Sequence, residues 1–213
     1  MELDGRGDLV IVAPEHWSWT HIESTLNQNL PRVERFLSRA RQHHLPPLQY
    51  IAGEHHCYMG ERYPLVIQHV KAGEGQIVIR DGELRVATAI LQADKVKTSL
   101  QNWYQTRAQT VFNERLQVIA HRTSWVKPED VSLKLRRMKR TWGNCSKKGA
   151  IKLNTHLIKA PVDIIDSVIA HELCHIQEMN HGREFYKLLE KLNPHWRNNR
   201  ATLRSQGSVY LLT

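Results

Sequence analysis

One segment restricts the possible folds of this chain more than any other: "IIDSVIAHELCHIQEMNHGREFYKLL", residues 164–189. Ile164, Ile165, Val168, Ile169, Leu173 and Ile176 recur at helical spacing, and Pro161 opens the helix they imply. His171 and His175 fall four residues apart, so they lie about 40° apart around the axis and roughly 6 Å apart along it. Two imidazoles so placed aim at one point, as a divalent cation binding nitrogen at about 2.0–2.1 Å requires. Glu172 follows the first histidine, where a carboxylate reaches water at that point without being a ligand. His181 joins the set only if the helix stops first, because six more helical residues would carry it more than about 100° around the axis. Asn180 tolerates the left-handed conformation common at helix ends and Gly182 adds freedom, so the break is expected there.

Coincidence is the competing explanation, since the chain holds 13 His. H-E-x-x-H arises by chance in about one chain in twenty of this composition, and the third histidine lowers that to about three in a thousand. The cluster is therefore read as a metal site with His171, His175 and His181 as ligands and Glu172 as general base. Zn2+ suits a nitrogen-rich site with an open position, and Ni2+ or Co2+ fit the same ligands. Neutral ligands leave the cation its full charge, which is the condition for hydrolysing a carbonyl or phosphorus centre with water. The spacing is similar to the metzincin signature H-E-x-x-H-x-x-G-x-x-H, but Glu178 stands where its internal glycine would be. Glu190 is the nearest alternative carboxylate ligand, and His181 makes it unnecessary.

The rest of the chain sets the context. Its 213 residues, 41% hydrophobic and 24% charged, suit a globular protein, and no apolar run is long enough for a membrane span. "MELDGRGD" lacks the features of a signal peptide, and Cys57, Cys145 and Cys174 form no C-x-x-C pair; both point to a reduced, cytoplasmic setting. The net charge is +9 and uneven: residues 131–162 hold nine Lys or Arg and no acid. Such a run is either a solvated face or a patch that gathers acidic, phosphate-bearing or nucleic-acid partners.

Periodicity gives an α+β fold. "DLVIVAP" reads as a strand, and 20–29 and 31–44 as helices. Gly60-Glu61 and Asp81-Gly82 mark two hairpins, the second with a strong type I′ signal. Residues 1–91 thus form an N-terminal antiparallel β layer with two helices. A long helix follows over 94–121, on Val96, Leu100, Trp103, Ala108, Val111 and Leu116. "VSLKLRRM" and "GAIKLN" read as strands around the turn "TWGNCSKKG". Residues 92–213 form the metal-bearing half, the two halves making one integrated domain.

"RRMKRTWGNCSKKGAIKLNTHLIKAP", leading into the histidine segment, resembles the YgjP-like family of metal-dependent hydrolases, which are similar to zincin-type metallopeptidases and related to the SprT-like and WLM groups. The family's Arg-x-x-Lys-x-x-Trp-Gly-x-Cys-Ser element and strand ending Leu-Asn are matched by Arg136, Lys139, Trp142, Gly143, Cys145, Ser146, Leu153 and Asn154. Asn180-His181 matches its N-H pair, which implies His181 as third ligand. "YMGERYPLVI" looks like its Gly-x-x-Tyr-x-Leu hairpin. Gly182, Tyr186 and Cys174 depart from the family's usual residues. The resemblance implies a zincin-like C-terminal half and a zinc metallopeptidase. It also implies an alternative, a nucleoside triphosphate (UTP) pyrophosphatase, and a further one, a protease recruited to nucleic acid. The basic stretch gives phosphate recognition a physical basis, with Arg136, Arg137, Lys139 and Arg140 the candidate substrate-binding residues. Trp142, Cys145 and Cys174 are read as packing residues, and His156 and His195 as ordinary polar ones.

Overall fold

A computed structural model of the chain describes residues 2–3, 9–34, 46–138 and 141–212. Lys139, Arg140 and most of the expected 31–44 helix lie outside them. The chain divides into two compact units, 1–47 with 212–213, and 48–211. The division expected after residue 91 falls inside the second unit.

In the first unit, β1 (Glu2–Leu3) pairs antiparallel with β2 (Leu9–Val10). Helix α1 (Trp19–Gln28) starts where the Ser18 hydroxyl accepts from the His21 amide, the usual serine cap. Residues 30–34 are helical again.

The second unit opens with a four-stranded sheet of order β3-β4-β6-β5, formed by His55–Tyr58, Glu61–His69, Glu83–Thr88 and Gln76–Arg80. Its hairpins turn where positive φ is needed, at Met59-Gly60 and Asp81-Gly82. The first turn thus sits one residue earlier than the sequence suggested. All four strands pair antiparallel with a neighbour in sequence, but β4 and β6 run parallel, because β5 folds back onto the outer edge of β6.

Helix α2 (Ala93–Ala120) buries Val96, Leu100, Tyr104, Ala108, Val111, Phe112, Leu116 and Ile119 along one side. Spacings of three and four put these on one stripe. Val96 and Leu100 pack on the first sheet with Leu65, Leu84 and Val86. The later residues pack into a larger core with Ile151, Leu153, Ile164, Ile165 and Ile169. The Tyr104 hydroxyl also donates to the Cys57 carbonyl, fixing α2 to β3.

The second sheet has three strands, in the order β7-β9-β8. β7 (Ser132–Arg136) and β9 (Ala150–Asn154) are parallel, and β8 (Gly143–Cys145) lies antiparallel on the free edge of β9. The segment expected as a turn therefore contains a strand too short to show alternation. Asn154, almost wholly buried, secures it. Its side-chain amide donates to the carbonyls of Met138 (2.7 Å) and Thr141 (3.0 Å), and its carbonyl oxygen accepts from the His156 amide. Helices α3 (Val162–Gln177), α4 (Arg183–Leu192) and α5 (Trp196–Tyr210) complete the unit. The three cysteines are free thiols. No helix among the described residues is long and apolar enough to cross a membrane.

Candidate metal centre and cleft

Helix α3 carries His171, Glu172 and His175. Ile165, Ile169 and Leu173 bury its opposite side. Arg115 of α2 grips Asp166 in a two-pronged ion pair, Nε to Oδ1 at 2.7 Å and Nη2 to Oδ2 at 2.5 Å, which fixes the helix against α2. The histidine face is thus held by packing on one side and by a bidentate pair near its start.

The helix stops earlier than the sequence suggested, and by a different device. Glu178 takes extended backbone (φ −129°, ψ 103°) while its amide still donates to Cys174. Among the described residues Asn180 is not left-handed, and Gly182 has φ −82° and starts α4. An extended residue redirects the chain sharply and needs no glycine, which is why Glu178 is tolerated at that position.

The doubling back brings His181 onto the other two. Its Nε2 lies 3.1 Å from Nε2 of His171, which is 3.3 Å from Nε2 of His175. One ligand atom from each of the three falls within 4.8 Å of the others. Ligands at about 2.0–2.1 Å from a tetrahedral centre stand roughly 3.4 Å from one another, so these separations fit. The Glu178 carbonyl can only accept, so His175 Nδ1, 3.1 Å away, carries that ring's proton. Its Nε2 lone pair is therefore free to face the cluster. Phe185, fully buried, supports all three rings from beneath, with centroids 4.7–5.0 Å away.

Burial, followed by the charges of the neighbouring imidazoles and Arg200, pushes His171 down to about 4. The same causes, burial first, lower His181. Neutral rings are the ligating form. Glu172 is 5% exposed, and burial raises its carboxyl to about 7. Its Oε2 is buried without a hydrogen-bond partner. Such a group is costly unless something polar meets it. Three convergent lone pairs beside a buried, unpartnered carboxylate oxygen form a donor set that fits a divalent cation and its water.

Gly143 of β8 leaves room for that carboxylate. A Cβ there would stand 2.6 Å from Oε1 of Glu172 and 2.9 Å from its Cδ and Cγ. The centre opens into a cleft of about 770 Å³, lined by Trp142, Gly143, His171, Glu172, His181 and Tyr186 and by the α5 face that holds Arg197, Arg200 and Arg204.

The other candidates lie elsewhere. Glu190 accepts from the Trp196 indole (2.6 Å) and Arg197 (2.7 Å) and is not part of the cluster. Arg136 and Arg137 are exposed and do not line the cleft. Arg137 acts instead on His156 and Lys159. His156 and His195 are also absent from the cleft, and burial lowers His156 to about 4. Trp142 packs edge-on to Tyr210, with ring centroids 6.4 Å apart, while also lining the cleft. Sequence reasoning passed over Phe185 and the α5 arginines. The arginine spacing was readable, but a charged helical face ordinarily means solvent.

A family model described as YgjP-like, metallopeptidase domain, matches residues 1–206. The crystal structure of the metallopeptidase zymogen of Pyrococcus abyssi abylysin is similar at 21% identity, covering 46% of this chain and 95% of that one, with a TM-score of 0.37. Comparison with curated proteins finds no match.

Proposed function

The chain belongs to the YgjP-like metallopeptidase domain family, and from that premise we propose that it hydrolyses peptide bonds with a zinc ion held by His171, His175 and His181 and with Glu172 as general base. The observation that carries this reading is the set of 3.1 and 3.3 Å Nε2 separations beside the unpartnered carboxylate of Glu172. When bound, the cation supplies Lewis acidity. Glu172 takes the proton from water as it adds to the scissile carbonyl carbon, then gives that proton to the departing amine nitrogen. Burial lifts its basicity towards the working range of such a shuttle. His175 keeps its ligating tautomer through Glu178, and Phe185 holds the rings in place.

A second reading is phosphoanhydride hydrolysis of a nucleoside triphosphate, which the three arginines on the cleft favour. One experiment separates the two. Zinc-loaded protein is incubated with unfolded casein and, separately, with UTP and the other nucleoside triphosphates, with Glu172→Gln as control. Casein cleavage lost in the variant supports the peptidase reading, and triphosphate turnover with intact casein overturns it.

A further inference from the structure

The cleft carries a charge that the chemistry above does not use. Arg197, Arg200 and Arg204 follow one another at three- and four-residue steps on α5 and all reach the cleft. Arg197 is engaged, since it donates to Glu190 and its guanidinium lies 4.5 Å from the centroid of the Trp196 ring. Arg200 and Arg204 are exposed and make no ion pair or side-chain hydrogen bond with the described residues. Glu172 is the one acid among the described residues that line the cleft. Arg200 is also close enough for its charge to act on His171 and His181. Two uncommitted guanidinium groups therefore stand in the groove that leads to the reacting centre.

Their spacing narrows what they fit. Residues four apart on a helix are separated by about 6 Å along the axis. Alternate residues of an extended peptide are separated by roughly 6.6–6.8 Å and point the same way. Adjacent phosphates of a triphosphate lie much closer together, so two neighbouring phosphates do not span the step. A peptide with apolar or small residues between its acids also suits the remaining lining, which includes Ile164, Val168, Leu189 and Leu203.

We propose that Arg200 and Arg204 select substrates with two acidic side chains at alternate positions, an acid-x-acid segment lying along α5 beside the scissile bond. This rests on the peptidase reading, and the test keeps the two apart. The probe is a fluorescein-labelled heptapeptide of Ala and Ser with Glu at two alternate positions, compared with a copy carrying Gln there. Binding is read by fluorescence anisotropy on zinc-loaded Glu172→Gln protein, so that no turnover intervenes.

The Glu probe should bind roughly tenfold tighter than the Gln probe, as expected for charge-assisted bonds. Moving the second Glu by one position should weaken it. The double substitution Arg200→Gln, Arg204→Gln should abolish the difference between the probes. Arg200→Glu with Arg204→Glu should transfer the preference to a Lys-containing copy, a result that misfolded protein cannot produce. Equal binding of the Glu and Gln probes overturns the proposal. So does displacement of the Glu probe by a single-stranded oligonucleotide or by UTP at lower concentration than by unlabelled Glu peptide. Catalytically intact protein that cuts both peptides at equal rates overturns the selectivity alone. Selective binding with no peptide cleaved overturns the peptidase reading while supporting the role of the arginines.

Discussion

Gly143→Ala adds one carbon at the most crowded point of the centre. That carbon would lie 2.9 Å from Cγ and Cδ of Glu172 and 2.6 Å from Oε1. Carbon pairs are comfortable at about 3.5–4.0 Å, so the carboxylate or the strand must shift by roughly 0.6 Å or more. Gly143 is not left-handed, so alanine meets no backbone strain there, and the whole effect falls on the contact. Glu172 is buried on α3, so it has little room to withdraw. Overpacking of this kind costs about 1–3 kcal/mol. A misplacement near 1 Å is worth about 10²-fold in rate. The assay measures kcat/KM on a labelled peptide, zinc content after dialysis, and urea unfolding of the same samples. The expected result is undiminished zinc with kcat/KM lower by about 10- to 100-fold. Full turnover in Gly143→Ala would refute the argument that this glycine positions the base.

Other outcomes follow from the same contacts. Glu172→Gln should keep its zinc and lose at least about 10²-fold in kcat, measured with metal analysis on the same preparation; unchanged turnover would remove Glu172 from its role. Asn154→Ala should lower stability by about 2–4 kcal/mol in urea unfolding, since the Met138 and Thr141 carbonyls both lose their donor. Burial lowers Lys159 from 10.5 to about 8, so between those values the unfolded chain binds a proton that the folded chain does not. Stability from this group therefore rises with pH. Wild type should gain about 2 kcal/mol relative to Lys159→Met between about pH 7.5 and 9.5, and a flat or falling difference would contradict the burial argument.

How far the sequence led depends on how local each feature is. The 171–175 spacing and the apolar stripe of α2 are properties of one helix, and one helix is what periodicity reports. The turn at Asp81-Gly82 is equally local, because both residues must take positive φ. The end of α3 was misread in its mechanism. Asn180 and Gly182 look like stop signals, yet Glu178 breaks the helix with ordinary extended backbone that any residue adopts. The parallel pairings of β4 with β6 and β7 with β9 depend on which edge a returning strand finds, and alternation carries no such information. β8 has three residues, too few for a pattern. The closeness of Gly143 to Glu172 joins positions 29 residues apart, and the glycine shows only as a missing side chain. The basic run at 131–162 drew attention by density, whereas among the described residues the charge on the cleft comes from three dispersed arginines of α5.

The central claim is that three imidazoles and no thiolate hold one zinc ion. X-ray absorption at the zinc edge, on full-length protein loaded to one equivalent, tests it most directly. The account predicts a four-coordinate shell of light atoms at about 2.0–2.1 Å with the outer-shell scattering of three imidazoles, falling to two in His181→Ala. A sulfur distance near about 2.3 Å, or a spectrum unchanged by His181→Ala, would contradict it.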